Sequence, residues 1–91
     1  MAKPLIVSYD LRQQGQNYKC IIEKLESYPV HWHMQGSVWI LVTDDKASQV
    51  RDSLKSCLDS NDKLFVGRLS GEAAWHGHTN EANKWIKSIL E

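Results

Sequence analysis

The chain alternates between short apolar runs and longer segments in which apolar residues recur every three or four positions. Its first run, residues 5–10, reads Leu-Ile-Val-Ser-Tyr-Asp and is followed by the polar, glycine-containing segment 11–17. An apolar run of this length bounded by polar residues is typical of a buried strand. The pattern therefore predicts a strand over residues 5–10, with the carboxylate of Asp10 delivered to the edge of a sheet.

Three later segments have helical spacing and three have strand character. Helices are expected over residues 17–28, 47–58 and 82–90, since each carries one apolar stripe opposite a polar face. Strands are expected over residues 31–35, 37–43 and 63–69, and the first two form a hairpin with a tight turn at Gln35-Gly36. The expected helix N-caps are Asn17, then Asp44 or Asp45, then Thr79 or Asn80.

This order of elements, β-α-β-β-α-β followed by a helix, predicts an α+β domain of the ferredoxin-like type. A single domain spans residues 1–91, with a core at 4–69 and a C-terminal loop and helix at 70–91. The expected spatial order of the strands is fourth, first, third, second, with both main helices on one face. Around Asp10, this topology gathers a polar cluster at one sheet edge: Arg12, Gln35, Gly36, Ser37, Asp62 and Lys63.

Charge and composition narrow the function classes. Eleven basic and eleven acidic residues give a formal net charge of zero, so no overall field attracts nucleic acid or an anionic membrane. No apolar run approaches the ~18 residues of a membrane span, so no membrane partner is expected. Cys20 and Cys57 both fall on helical apolar positions, which predicts buried free thiols and a cytoplasmic location rather than a disulfide. The sequence has no phosphate-binding glycine loop and no C-x-x-C pair.

The four histidines form two H-x-H pairs, His31 with His33 and His76 with His78. Two such pairs would suit Zn²⁺ if the fold brought them together. In the expected topology they lie at opposite edges of the sheet, several strand spacings of ~4.8 Å apart, so only a site between subunits would survive. Hydrogen-bonded surface histidines are the favoured interpretation.

Trp39 shares one face of its strand with Ser37 and Thr43, away from Val38 and Ile40. If no helix packs on that face, the tryptophan would form an exposed apolar patch unless a partner covers it. A homodimer interface is the favoured cover, and stacking on single-stranded nucleic acid is the alternative.

Three motifs together resemble a known family. They are residues 5–10 ending in Tyr-Asp, the segment Gln35-Gly36-Ser37-Val38-Trp39 that follows a helix ending at Tyr28, and the Asp/Asn-rich turn that leads into an apolar strand at 59–66. Over residues 4–69 the chain resembles the family of CRISPR-associated protein 2, and still more its SinR-like bacterial relatives. From Ser70 onward it departs, because a helix stands where that family has a short strand that crosses to the partner subunit.

The resemblance implies a homodimer associated with nucleic acid. Asp10 matches an acid that faces its own copy across a two-fold axis and can hold Mg²⁺ or Mn²⁺, which suits hard carboxylate ligands and metal-dependent phosphodiester cleavage. The candidate site residues are Asp10 and Ser37 for catalysis, Asp10 for metal, and Tyr9, Arg12, Trp39 and Lys63 for binding.

Two plainer interpretations stay open. Asp10 pairs with Arg12 or Lys63 at the end of its strand, and Ser37 satisfies a turn. The chain as a whole is then a non-catalytic subunit or inhibitor that binds another protein.

Overall fold

The computed structural model describes residues 2–11 and 18–90 as an α+β structure with a four-stranded antiparallel sheet and three helices. Asn17 and Arg12, singled out above as a cap and a binding residue, lie outside the described residues. The strands are β1 (Lys3–Asp10), β2 (His31–Gln35), β3 (Val38–Thr43) and β4 (Lys63–Arg68). The helices are α1 (Tyr18–Glu26), α2 (Ala47–Leu54) and α3 (Asn80–Leu90), and a 3-10 turn (Lys55–Cys57) follows α2.

The sheet has the strand order β2-β3-β1-β4, which is the order expected from the sequence. β1 is central because its apolar residues point to both faces, whereas the outer strands β2 and β4 carry more polar positions. In the register of the sheet, Ser8 lies opposite Val38 on β3, and Asp10 lies opposite Lys63 on β4. The free end of β1 therefore meets the beginnings of β3 and β4.

One face of the sheet packs against α1 and α2, as expected. The strands contribute Leu5, Val7, Trp39 and Leu41 to this core, and the helices contribute Ile21, Leu25, Val50 and Leu54. Each of these side chains is at most 2% exposed. Burial of an aliphatic side chain contributes about 1.5–3 kcal/mol, so this layer supplies most of the apolar stabilisation of the fold.

α3 covers part of the opposite face. Ile40 points away from the Trp39 face, and both Ile40 and Ile86 of α3 are 2% exposed. Trp85 of α3 contacts Trp32 of β2, with ring centroids 5.5 Å apart and ring planes at 68°. The C-terminal helix thus forms a second, smaller core on the face that the sequence had left without helices.

Two tight local structures match their expected positions. β2 and β3 form a hairpin whose turn contains Gly36 at φ 41°, a left-handed conformation that favours glycine. The hydroxyl of Thr79 accepts a hydrogen bond from the backbone N–H of Ala82 at 3.1 Å, so Thr79 caps α3.

The expected acidic cap of α2 is wrong. Asp44 and Asp45 form the bend after β3, where the backbone N–H of Asp45 donates to the hydroxyl of Thr43 at 3.1 Å. The helix begins later, after Lys46, whose backbone N–H donates to the Gln49 side chain at 2.7 Å. In this arrangement the glutamine side chain satisfies the backbone N–H of the cap residue itself.

The expected free thiols are also wrong, because Cys20 and Cys57 form a disulfide. Their Cα atoms are 5.6 Å apart although 37 positions separate them in sequence. Each cysteine lies on the inward side of its element, and the packing of α1 beside α2 places the two side by side. The same contact is reinforced by Lys24 of α1, whose ammonium donates to the Ser53 carbonyl at 2.9 Å and to the Ser56 hydroxyl at 2.7 Å.

Candidate functional site

Asp10, the acid on which the predicted site is centred, lies at the C-terminal end of β1. Asp10 is exposed, and its side chain lies on the α3 side of the sheet together with its cross-strand neighbour Lys63. The ion pairs within residues 2–11 and 18–90 join Lys19 to Glu23 and Arg51 to Asp52, and neither involves Asp10 or Lys63. The proposed pairing of Asp10 with Lys63 is therefore not formed in this chain. The pairing with Arg12 lies outside the described residues.

The expected polar cluster comes together only in part. Asp62 directs a carboxylate oxygen to its own turn, where it accepts a hydrogen bond from the backbone N–H of Asp59 at 2.8 Å. Gln35 accepts a hydrogen bond from Nε2 of His78 at 3.3 Å, on a different part of the sheet. Asp10 and Lys63 are both exposed, and the backbone of Tyr9, the residue before Asp10, is hydrogen-bonded to that of Ser37.

Ser37 and Tyr9 lie at the same sheet edge but present different groups to it. The carbonyl of Ser37 accepts a hydrogen bond from the backbone N–H of Tyr9 at 3.2 Å, which extends the pairing of β1 with β3 by one step. The Tyr9 side chain points the other way, is 5% exposed, and accepts a hydrogen bond from Nε1 of Trp39 at 3.3 Å. Tyr9 thus anchors the core beneath the strand end, while its neighbour Asp10 projects outward.

Trp39 is part of the chain's own core. It is 2% exposed, and the ring of His33 stacks on it with centroids 4.4 Å apart and planes at 9°. The face it occupies is the one covered by α1 and α2. Trp39 therefore offers almost no surface to a partner or a base within one copy of the chain. Its predicted binding role assumed an exposed ring, but the chain's own core and His33 bury it.

The two histidine pairs are not arranged as expected. The segment between β4 and α3 crosses the sheet, and His78 contacts Trp32 of β2 edge-to-face at 5.4 Å. The placement of His78 at the far edge is therefore wrong. His31 and His33 lie on the other face of β2, where each donates a ring N–H to a backbone carbonyl, that of Tyr28 or of Gly36. His78 therefore lies against one face of β2, whereas His31 and His33 lie on the opposite face.

The described residues of one chain form no ready-made metal site. Among the described residues, no group of three or more His, Cys, Asp or Glu side chains lies close enough to hold a metal ion. Asp10 supplies a single exposed carboxylate, with no hydrogen-bond or ion-pair partner among those residues. One carboxylate is too few ligands for Mg²⁺ or Mn²⁺, whereas two brought together by a symmetric contact would suit either ion.

Phe65 is the feature of this edge that the sequence interpretation missed. It is 63% exposed and lies opposite Ser8, on the same face as Asp10 and Lys63. Its ring lies over Gly67, where a Cβ atom would come within 2.9 Å of it. The signal was present in the alternation of β4, because Leu64 and Val66 occupy the core face and leave Phe65 outside.

Comparison with known proteins adds no further assignment: the chain matches no protein-family model, and no solved structure matches it. No helix in the described part of the chain is long and apolar enough to cross a membrane. The resemblance drawn from its motifs stays a prediction.

Proposed function

We propose that this chain is a ferredoxin-like homodimer that acts on nucleic acid, with Asp10 of each copy contributing a carboxylate to one divalent cation. The proposal extends the observed α+β architecture and strand order to the family that the motifs resemble. The observation that carries it is the exposed carboxylate of Asp10 at the end of the central strand.

Dimerisation would supply the second carboxylate that a single copy lacks for binding a divalent cation. Phe65 is exposed on the same face as Asp10, so burying it against a second copy would bring the free ends of two central strands together. Two carboxylates that approach each other repel unless a cation or a proton lies between them. Mg²⁺ or Mn²⁺ would supply the positive charge that stabilises a phosphodiester during in-line attack.

The chain's own residues would hold and orient the substrate. Lys63, opposite Asp10 in the register, places an ammonium where it can neutralise one backbone phosphate. Ser37 contributes through its backbone, which fixes the spacing of β1 and β3 next to the acid. Because the net charge is zero, binding would rest on this local arrangement.

The test is Asp10→Asn, which removes the charge with little change in side-chain volume. We expect Mn²⁺-stimulated cleavage of DNA or RNA to fall at least tenfold, and an anomalous Mn²⁺ peak on the dimer axis of the wild-type crystal to disappear. Asp52→Asn is the matched control, since Asp52 is an exposed acid on α2 whose pKa is lowered by its hydrogen bond to Arg51. Equal Mn²⁺-dependent cleavage by wild type and Asp10→Asn would overturn the proposal.

A second candidate, a non-catalytic subunit or inhibitor that binds another protein, is favoured by the exposed Phe65 together with the neutral charge. It predicts that no DNA or RNA is cleaved with either ion. It also predicts that Phe65→Ser abolishes a co-purifying complex, whereas Asp10→Asn leaves that complex intact.

A further inference from the structure

A groove that plays no part in the Asp10 site lies between the outer strand β2 and the beginning of α3. Its lining residues are His31, Trp32, Thr79, Glu81, Ala82 and Trp85, and it is an open groove with a volume of about 420 Å³. That volume suits a small organic group rather than a large ligand. We refer to it as the aromatic groove.

Two tryptophans provide the walls of the aromatic groove. Trp32 and Trp85 meet with ring centroids 5.5 Å apart and planes at 68°, and both are only half-buried. Two indoles that meet nearly at right angles form a corner, so a group in that corner contacts both. Indole faces carry the negative part of the ring quadrupole and attract cations.

The charge of the lining has the same sign as the ring faces. Glu81 is exposed in the first turn of α3, and the lining contains no lysine or arginine among residues 2–11 and 18–90. The Nδ1 atom of His31 donates a hydrogen bond to the carbonyl of Tyr28 at 2.8 Å. The groove therefore presents aromatic faces, which bind quaternary ammonium groups in proteins, beside a carboxylate whose charge is opposite to that of such a group.

We propose that the aromatic groove binds a trimethylammonium group, with the cation against Trp32 and Trp85 and its charge balanced by Glu81. A nucleic-acid strand is disfavoured here, because Glu81 would repel the phosphates that accompany a stacked base. A metal ion is disfavoured as well, because Glu81 is the single carboxylate that the described part of the chain contributes to the lining. The head group is carried by small molecules such as choline and by trimethyllysine side chains, and the groove chemistry is the same for both.

The decisive probe is a pair of ligands that match in shape and differ in charge. Choline and its neutral isostere 3,3-dimethylbutan-1-ol are titrated separately into the full chain, and the indole N–H signals of the four tryptophans are followed by NMR. We expect choline to shift the signals of Trp32 and Trp85 with an affinity about two- to fivefold above that of the isostere. Trp39, which is buried, and Trp75, whose indole donates to Asn83 at 2.6 Å, serve as internal references.

Variants separate the charge from the ring contacts. Glu81→Gln should reduce choline affinity about two- to threefold and leave binding of the isostere unchanged, whereas Glu72→Gln, outside the groove, should change neither. Trp85→Leu should remove choline binding, and retained shifts at the reference tryptophans would show that the fold persists. A peptide with trimethyllysine, compared with its unmethylated form, distinguishes a protein ligand from a small molecule.

Equal affinity for choline and the isostere would overturn the proposal, since it would mark a merely apolar groove. Absence of shifts at Trp32 and Trp85 with either ligand would overturn it too, because the two rings would then only pack α3 onto the sheet. Neither result bears on Asp10, which lies at a different part of the molecule.

Discussion

Tyr28 is a residue whose environment couples stability to pH. It follows the end of α1 and is half-buried. Burial raises the pKa of its hydroxyl above the usual value of 10.0, the charge of Asp45 raises it further, and a hydrogen bond with the Ser53 side chain lowers it in part. The folded chain therefore holds the phenolic proton more tightly than the unfolded chain does.

We predict that Tyr28 makes the protein less stable as the pH rises above about 10. The unfolded chain releases the phenolic proton first, so the native state binds more protons over this range and the free energy of unfolding falls with pH. Urea unfolding of wild type and Tyr28→Phe at pH 8 to 11 measures this. The stability advantage of wild type over the variant should shrink toward the alkaline end.

The control is Tyr18→Phe, which removes a hydroxyl from a tyrosine that is 41% exposed. A constant difference between wild type and Tyr28→Phe across the whole range would contradict the assignment.

At the scale of elements, the disulfide links α1 covalently to the 3-10 turn that follows α2. Cys20 and Cys57 close a long loop that contains the β2–β3 hairpin and α2. Disulfides of this kind persist in oxidising surroundings and are uncommon in the cytosol. The cytoplasmic location expected from the sequence was tied to free thiols, so it stays a prediction without that support.

We predict that reducing this disulfide lowers the free energy of unfolding by about 2–4 kcal/mol, since it releases a constraint on the unfolded chain. Guanidinium unfolding with and without a reducing agent provides the measurement. Cys20→Ser/Cys57→Ser should behave like the reduced protein and should not respond to the reducing agent. Identical midpoints in all three samples would show that the link does not contribute.

The last helix carries a second prediction at this scale. Ile86→Ala should cost about 2–4 kcal/mol, because Ile86 is 2% exposed and its loss leaves a cavity against the sheet. Lys87→Ala, an exposed neighbour on α3, should change stability by less than about 0.5 kcal/mol. If chemical denaturation gave equal stabilities for the two variants, α3 would not belong to the cooperative core.

At the scale of the whole molecule, the strand order and the first core could be predicted from the sequence. Apolar alternation marked β1 and β3 as central, and the turn at Gln35-Gly36 fixed the hairpin. These features depend on the spacing of apolar residues within each element and on short connections, both of which can be seen in a single sequence. The position of Asp10 beside the starts of β3 and β4 followed from them.

The features that could not be predicted depend on the path of the long connection between β4 and α3. Residues 69–79 have neither helical nor strand period, and their two glycines, Gly71 and Gly77, take positive φ values of 93° and 89°. Such a segment can return along its own edge or cross the sheet, and only the packing of α3 decides between them. For the same reason, the cover over the second face, the position of His78 and the aromatic groove became visible only in three dimensions.

The central position of β1 also governs the order in which the chain can fold. β1 is made first, yet its neighbours β3 and β4 begin only at Val38 and Lys63. During synthesis the β2–β3 hairpin can close locally, while the first strand keeps one unpaired edge until β4 is made. Pairings that span so many residues close slowly, because loop entropy is lost before any contact compensates for it. The strand that presents Asp10 is therefore the part of the sheet most exposed to mispairing before the chain is complete.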